Sequence, residues 1–332
     1  MGIKKFAEAF ARAYVPVKSL SDVVRGRGVA LDMHLFLYKS IKALGHMTLT
    51  DSSGVPTAGI NNLLNLIPKL KKAGASKIIA VFDNPAGGSP LKAKECAKRH
   101  ATGEACKERA QTEADEDIKA QLETRAWTID ESVITDAQHL LTLLGVDSHV
   151  APVGWEAEHY AARLAATGVV DMVLSDDSDT VMFGAPKTLM PRTVRVGKTT
   201  CKYVLVDLKF LLDEYEITID ELRRICVALG GDFAEKTTGV GPVTALTRGK
   251  NLTPTVEQKG ALVHIAAVPT GYVEILVGKS DSSQAVTWLS ESKGFNYARV
   301  AKKLGVAMTA VAPVIATIAP MPFVYPDVAT IL

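Results

Sequence analysis

Val169-Val170-Asp171-Met172-Val173-Leu174-Ser175, followed at once by Asp176-Asp177-Ser178-Asp179, decides the fold. A short apolar run that stops on acids reads as a buried strand that delivers carboxylates beyond its C-terminal end. Two earlier stretches repeat the pattern: Val29-Ala30-Leu31 closes on Asp32, and Ile78-Ile79-Ala80-Val81-Phe82 closes on Asp83. In an open parallel sheet, ligands bind outside the carboxyl ends of the strands, so three such strands bring their acids to one crevice. Glu156, Glu158 and Asp232 extend the set Asp32, Asp83, Asp177 and Asp179 to seven. Carboxylates crowded in this way repel one another and need cations.

Outward from this block the chain alternates helix and strand. Residues 1–83 read as helix, strand, helix, strand, with Gly54, Pro56 and Gly59 interrupting the middle and Leu63 to Leu70 at helical spacing. After Asp83 comes the loop Asn84-Pro85-Ala86-Gly87-Gly88-Ser89-Pro90, and then residues 92–126, dense in charge and poor in large apolar side chains. Helices of that composition cannot bury a wide face. The segment is either a solvated helix pair or a mobile element that rises over the sheet and meets a polyanion through Lys92, Lys98 and Arg99.

Ser132 to Leu144 predicts an amphipathic helix, and Gly145 to Pro152 a strand. Glu156 and Glu158 open a helix that stops at Gly168, and from its first turn both can point past the helix end into one cleft. Arg192, Arg195, Lys198 and Lys202 mark a basic hairpin ahead of Val204-Leu205-Val206, and a helical region continues from Leu208 through Leu229. Thr238-Gly239-Val240-Gly241-Pro242 is a turn whose backbone can approach a phosphate closely, with Pro242 placed to open the next helix.

Composition sets the frame for these motifs. The 332 residues are 47% hydrophobic and 22% charged with a net charge of +2, which describes a folded chain whose contacts with any polyanion must be local. Cys96, Cys106, Cys201 and Cys226 form no CxxC pair, favouring a reduced, intracellular setting in nucleus or cytoplasm over secretion. Leu304 to Ile318 is the most membrane-like stretch, but it is short for a span of roughly 20 residues and contains Thr309, Pro313 and Thr317; it reads as a packed or mobile tail, with a tail anchor as the alternative.

Met1-Gly2-Ile3, Val29-Ala30-Leu31-Asp32, Ala80-Val81-Phe82-Asp83, Ala151-Pro152 before Glu156-Ala157-Glu158, Ser175 to Gly184, and Leu229-Gly230-Gly231-Asp232 with Gly239 to Pro242 succeed one another in a particular order. In that order and spacing the chain resembles the flap endonuclease superfamily, the 5′-structure-specific nucleases of replication and repair, over residues 2–246 and more weakly to 305. The resemblance implies an α/β fold with a central, mostly parallel twisted sheet flanked by helices, a PIN-like nuclease fold carrying a helical arch and a helix-hairpin-helix element. It implies one nuclease domain over 1–305: an N-terminal region 1–91, an arch or gateway 92–131, an internal region 132–215, a helix-hairpin-helix region 216–250 and a helical part 251–305. An Ala- and Pro-rich tail, 306–332, follows.

Carried over residue by residue, the resemblance implies that Asp32, Asp83, Glu156, Glu158, Asp177, Asp179 and Asp232 hold two Mg²⁺ or Mn²⁺ ions. Asp83, Glu156 and Glu158 would favour the first and Asp177 and Asp179 the second, with Glu158 bridging and Asp32 and Asp232 acting partly through water. An all-oxygen set suits such hard cations, and paired ions can clamp a phosphodiester for in-line attack. Lys92 and Arg99 match the bases at the foot of the gateway that contact the scissile phosphate, and Tyr38 matches the aromatic that stacks on a base. Gly2, Lys98, Gly239, Gly241 and Arg248 complete the implied DNA contacts, with a monovalent cation at the 236–241 hairpin. Asp176 is an additional acid without a ligand role.

There are departures. Asn84 stands where the family has Gly, and Val243 and Thr244 replace basic residues after Pro242, leaving Arg248 and Lys250 as substitutes. No sliding-clamp motif surrounds Phe323 and Tyr325. The expectation is a monomeric nuclease acting on DNA with 5′ flaps or branches, with no membrane partner. The alternatives are a 5′ to 3′ exonuclease on nicked or recessed duplex, an RNA-directed endonuclease, or an inactive nucleic-acid-binding scaffold.

Overall fold

The structure, a computed structural model, describes residues 2–43, 50–248, 251 and 253–306. In chain order its first half contains α1 (Phe6–Ala9), β1 (Tyr14–Val17), α2 (Leu20–Val24), β2 (Gly28–Asp32), α3 (Met33–Lys42), α4 (Ala58–Lys72), β3 (Lys77–Phe82), α5 (Ala93–Thr112), α6 (Glu116–Ala126) and α7 (Glu131–Leu143). The second half contains β4 (Asp147–Val150), α8 (Ala157–Ala166), β5 (Met172–Leu174), α9 (Asp179–Met182), β6 (Lys187–Met190), β7 (Val194–Val196), β8 (Thr199–Cys201) and β9 (Tyr203–Asp207). It closes with α10 (Leu208–Glu214), α11 (Ile219–Leu229), α12 (Pro242–Arg248), α13 (Val256–Ala266), β10 (Glu274–Leu276), α14 (Ser282–Glu291) and α15 (Tyr297–Leu304).

The three strands that close on acids lie side by side at the centre of an eight-stranded sheet of order β1-β9-β6-β5-β2-β3-β4-β10. The run from β6 to β4 pairs in parallel, while β9, β1 and β10 add antiparallel edges. β2 is buried at every position and β3 at all but its first, as expected of strands covered on both faces. Their side chains alternate between two cores. Ala30, Ile79 and Val81 face the layer containing α8 and α11, whereas Val29, Leu31, Ile78, Ala80 and Phe82 face the layer containing α4, α7 and α14. Leu63, Leu64, Ile67 and Leu70 of α4 are essentially inaccessible. Each contributes about 1.5–3 kcal/mol of burial, which together offset the roughly 3 kcal/mol cost of Pro68 inside that helix.

Two details differ from the sequence reading. The N-terminal segment contains an additional strand, β1, and a short helix, α2. β1 is four residues long with Pro16 inside it, tolerated because the strand sits at the sheet edge. The helical stretch 208–229 is two helices: Glu216 takes a positive φ of 50° and Thr218 restarts the chain with a capping box to Glu221. Residues 92–126 do form a helix pair, α5 and α6, packed on each other. Among the described residues no helix is long and apolar enough to cross a membrane. Lys250 and residues 307–332, including Phe323 and Tyr325, lie outside the described residues.

Candidate active site

The acids converge because the sheet register places their strand ends together. Asp32 lies opposite Val81 on β3, and Leu31 opposite Leu174 on β5. Asp32 also caps α3, accepting the Leu35 N–H at 3.3 Å, and takes a hydrogen bond from the Ser175 hydroxyl at 3.1 Å. Asp83 accepts the Ala157 N–H at 2.7 Å, which binds the end of β3 to the start of α8. Glu156 precedes that helix and accepts the Ser89 N–H at 2.8 Å, while Glu158 lies in its first turn. Both reach Lys92, whose Nζ is 2.6 Å from Glu158 and 3.5 Å from Glu156. The two glutamates therefore do point into one cleft, as their position in the first turn predicts.

Asp177 accepts the Asp179 N–H at 3.0 Å. Gly2, with φ of +83°, lies against Asp177 so closely that a Cβ would collide with the carboxylate. Asp179 sits deeper than expected. It is 1% exposed and does not line the cleft, and neither of its carboxylate oxygens has a hydrogen-bond partner among the described residues. Oxygens of Glu158, Asp177 and Asp179 lie within 4.8 Å of one another. Two unpartnered buried oxygens in an all-oxygen triad fit a hard divalent cation. The triad joins Glu158 to Asp177 and Asp179.

Crowding and burial show in the protonation of these groups. Burial, with Asp83 and Asp177 adding to it, pushes Asp32 up to about 7. Burial also raises Asp177, and lifts Glu158 and Asp179 well above the usual carboxylate range. Burial acts to lower Lys92, but Glu158 and Glu156 overcome it and hold the ammonium charged. Arg99 is likewise held charged against partial burial by Asp232, 2.7 Å away. Asp232 also lies 3.9 Å from Lys92. Asp176, by contrast, pairs with Lys39.

Above the acids a cavity of about 1370 Å³ is walled by α5, α6 and one side of α3, from His34 to Lys42. Lys92, Lys98 and Arg99 line it, as does Tyr38, whose ring centre is 6.5 Å from that of Trp127 and 5.0 Å from Lys42 Nζ. Asn84 bonds the Ala151 carbonyl and the Ala86 N–H, both at 2.9 Å, so its loop is pinned rather than displaced. Farther off, Gly239 (φ +78°) and Gly241 have open space where a side chain would be, and Pro242 opens α12 as expected. Arg248 at its end is exposed, as is Val243.

Several residues near the site escaped the sequence reading. His34 lines the cavity and its Nδ1 accepts the Asp83 N–H at 3.0 Å. Its place two residues after Asp32, in the first turn of α3, was the available signal. Behind the acids lies a group of rings. His159 stacks on Phe183 at 4.0 Å and 7°, His264 stacks on Trp155 at 4.8 Å and 13°, and Phe233 lies 5.8 Å from His264. Lys92 Nζ sits 4.7 Å from the Phe233 ring centre. Burial, with His264 nearby, lowers His159 to about 3, so it is a neutral packing group.

The XPG I-region family matches residues 145–232, a span that holds Glu156, Glu158, Asp177, Asp179 and Asp232. Flap endonuclease 1 of Haloquadratum walsbyi is 31% identical over 233 residues, 68% of either chain. Flap endonuclease-1 of Methanococcus jannaschii superposes with a TM-score of 0.65 at 22% identity, covering 88% of this chain and 94% of that one. The catalytic core of Rad2 in complex with a DNA substrate superposes with a TM-score of 0.62 at 19% identity, covering 91% and 99%. Both superpositions match the fold, with its mostly parallel sheet between helical layers.

Proposed function

The chain belongs to the flap endonuclease family of structure-specific nucleases, and from that premise we propose that it is a divalent-cation-dependent 5′ nuclease cutting branched DNA beside a single-strand to duplex junction. The observation that carries the cation dependence is the Asp179 carboxylate, buried beside Glu158 and Asp177 with no hydrogen-bond partner among the described residues. We assign the seven acids to two Mg²⁺ or Mn²⁺ ions. Such ions would supply an activated water and charge stabilisation for the leaving oxygen of the phosphodiester.

The chain's own groups do the rest. Lys92 and Arg99 hold positive charge over the acids, where the negative charge on the phosphate grows during cleavage. Tyr38 and Trp127 offer aromatic faces on the cavity wall for an unpaired base. The cavity under α5 and α6, with Lys98 on its wall, takes the 5′ strand. The backbone amides around Gly239 and Gly241 grip duplex phosphates together with a monovalent cation, and Arg248 adds a charge that Val243 and Thr244 do not. The partner is DNA, such as that held by the Rad2 core.

Cleavage of an end-labelled 5′-flap duplex in Mg²⁺ tests the reading. Wild type is expected to cut near the junction, and Asp179→Asn to lose at least about a thousandfold in kcat, the several kcal/mol that metal catalysis supplies. A wild-type protein inert on flap DNA overturns the flap assignment. Activity confined to nicked duplex or to structured RNA replaces it with the exonuclease or RNA alternative.

A further inference from the structure

We propose that α13 is a strut coupling the hairpin at 236–241 to the carboxylates, with Gln258 positioning the hairpin and His264 positioning the ring group behind Glu156, Glu158 and Asp232. The proposal rests on the nuclease reading above for what the hairpin binds.

Gln258 is 4% exposed, and both polar atoms of its carboxamide have partners. Its Nε2 donates to the Glu235 carbonyl at 3.2 Å and to Thr237 Oγ1 at 2.9 Å, and its Oε1 accepts the Thr255 N–H at 3.1 Å. One side chain thus caps α13 and fastens it to the chain entering the hairpin. His264 lies six residues further along, about 9 Å down the helix axis. It stacks on Trp155, the residue before Glu156, and packs near Phe233, the residue after Asp232. It also meets His159, the residue after Glu158, edge-on at 5.6 Å. Three of the acids therefore each have a chain neighbour in one ring group, and His264 is the member supplied by α13.

Phe233 adds a second connection, since its ring carries Lys92 Nζ. Close-packed rings transmit displacement because no soft space absorbs it. A shift of α13 caused by duplex at the hairpin therefore reaches the backbone that aims Glu156, Glu158 and Asp232. Outer-shell partners of metal ligands typically tune cation affinity tenfold or more.

The test measures Mn²⁺ binding by calorimetry on the full chain, alone and with a flapless duplex, beside kcat and KM on a 5′-flap duplex. His264→Ala is expected to weaken Mn²⁺ binding about tenfold and to lower kcat with KM within about twofold, while His264→Phe, which keeps a ring in the stack, restores both. Gln258→Leu is expected to raise KM about fivefold with Mn²⁺ affinity unchanged in the absence of DNA. Flapless duplex should tighten Mn²⁺ binding about fivefold in wild type and leave it unchanged in Gln258→Leu, as a coupling between two sites requires.

Wild-type Mn²⁺ affinity in His264→Ala, or the same tightening by duplex in Gln258→Leu as in wild type, overturns the strut. So does the absence of tightening in wild type. A purely structural role for either residue would lower the melting temperature and leave both Mn²⁺ readouts alone. If wild type binds Mn²⁺ and duplex but cuts no nucleic acid, the nuclease reading falls while the coupling stands.

Discussion

Asp32 and Asp83 close strands that are buried on both faces, and Asp179 opens the short helix after a third, whereas Lys98 and Lys107 sit on α5, a helix of 20 residues that buries only Ala110. The first region is held by the core and by backbone N–H groups donated to Asp32, Asp83, Glu156 and Asp177. The second is held at its foot by charge: Lys92 to Glu158 and Arg99 to Asp232. Like charges can be crowded beneath the cavity because the sheet leaves them nowhere to go. The arch has no comparable apolar face, so its seating depends on the same acids that a cation would engage. A rigid floor and an ionically seated arch make opposite predictions for mutation.

The largest effect is expected in the floor. Glu158→Gln keeps the shape and removes one charge from the triad, so kcat on flap DNA should fall about a thousandfold. It also removes the closest partner of Lys92, so limited proteolysis within residues 93–126 should accelerate while the sheet stays protected. An arch as resistant as in wild type would break the comparison, because its seating would then not depend on the floor.

Next comes the arch foot. Lys92→Met keeps most of the stem over Phe233 and removes the ammonium. Under the role proposed for Lys92, the loss of its charge should cost about a hundredfold in kcat. Glu158 is then buried without its cation, and it should respond by taking up a proton, so Mg²⁺ would be needed at higher concentration at neutral pH. Unchanged kcat would remove Lys92 from the chemistry.

A pH series sharpens the same contrast. Asp32 is pushed from 3.8 to about 7, and Glu158 and Asp179 are raised well above their ordinary range, mainly by burial. A carboxyl held above its unfolded value contributes stability that is fully present below that unfolded value and is lost as pH rises through the folded one. For Asp32 the cation-free protein should therefore lose this contribution between about pH 4 and 7. Cations displace the protons, so the gain in melting temperature from millimolar Mg²⁺ should be larger at about pH 8 than at about pH 6, by at least about 2 °C. A gain independent of pH would place the cation away from these acids.

The floor was legible in the sequence because strands buried on both faces are short apolar runs, and an acid closing such a run has one place to go. Glu156 and Glu158 were legible for the same local reason, as the opening of a helix after a strand. What was not legible is held together across the chain. Lys293 lies 2.7 Å from Asp51 and 2.5 Å from Asp136, joining three segments through an ammonium that no local pattern singles out. Gln258 and His264 are ordinary residues of an ordinary helix until Thr237 and Trp155 arrive beside them. The depth of Asp179 escaped for a related reason: spacing sets its order along the chain, but the packing of α9 under α8 sets its distance from solvent.

The smallest effect is expected in the arch itself, at Gly103 near the middle of α5. A Cβ there would meet only the Ala126 carbonyl of α6, at an ordinary 3.8 Å, so alanine fits without displacement. Glycine inside a helix costs roughly 0.5–1 kcal/mol relative to alanine through backbone entropy. Gly103→Ala should therefore slow hydrogen exchange of α5 amides by about twofold to fivefold, the factor that energy implies. The global melting temperature should stay put, because α5 contributes little to either core. If an arch seated by Lys92 and Arg99 moves as one body, the slowing extends to the α5 turns on both sides of residue 103. Slowing confined to the turn that contains it would mean that the two ends of α5 open independently, and that the ion pairs at the foot hold only the first turns.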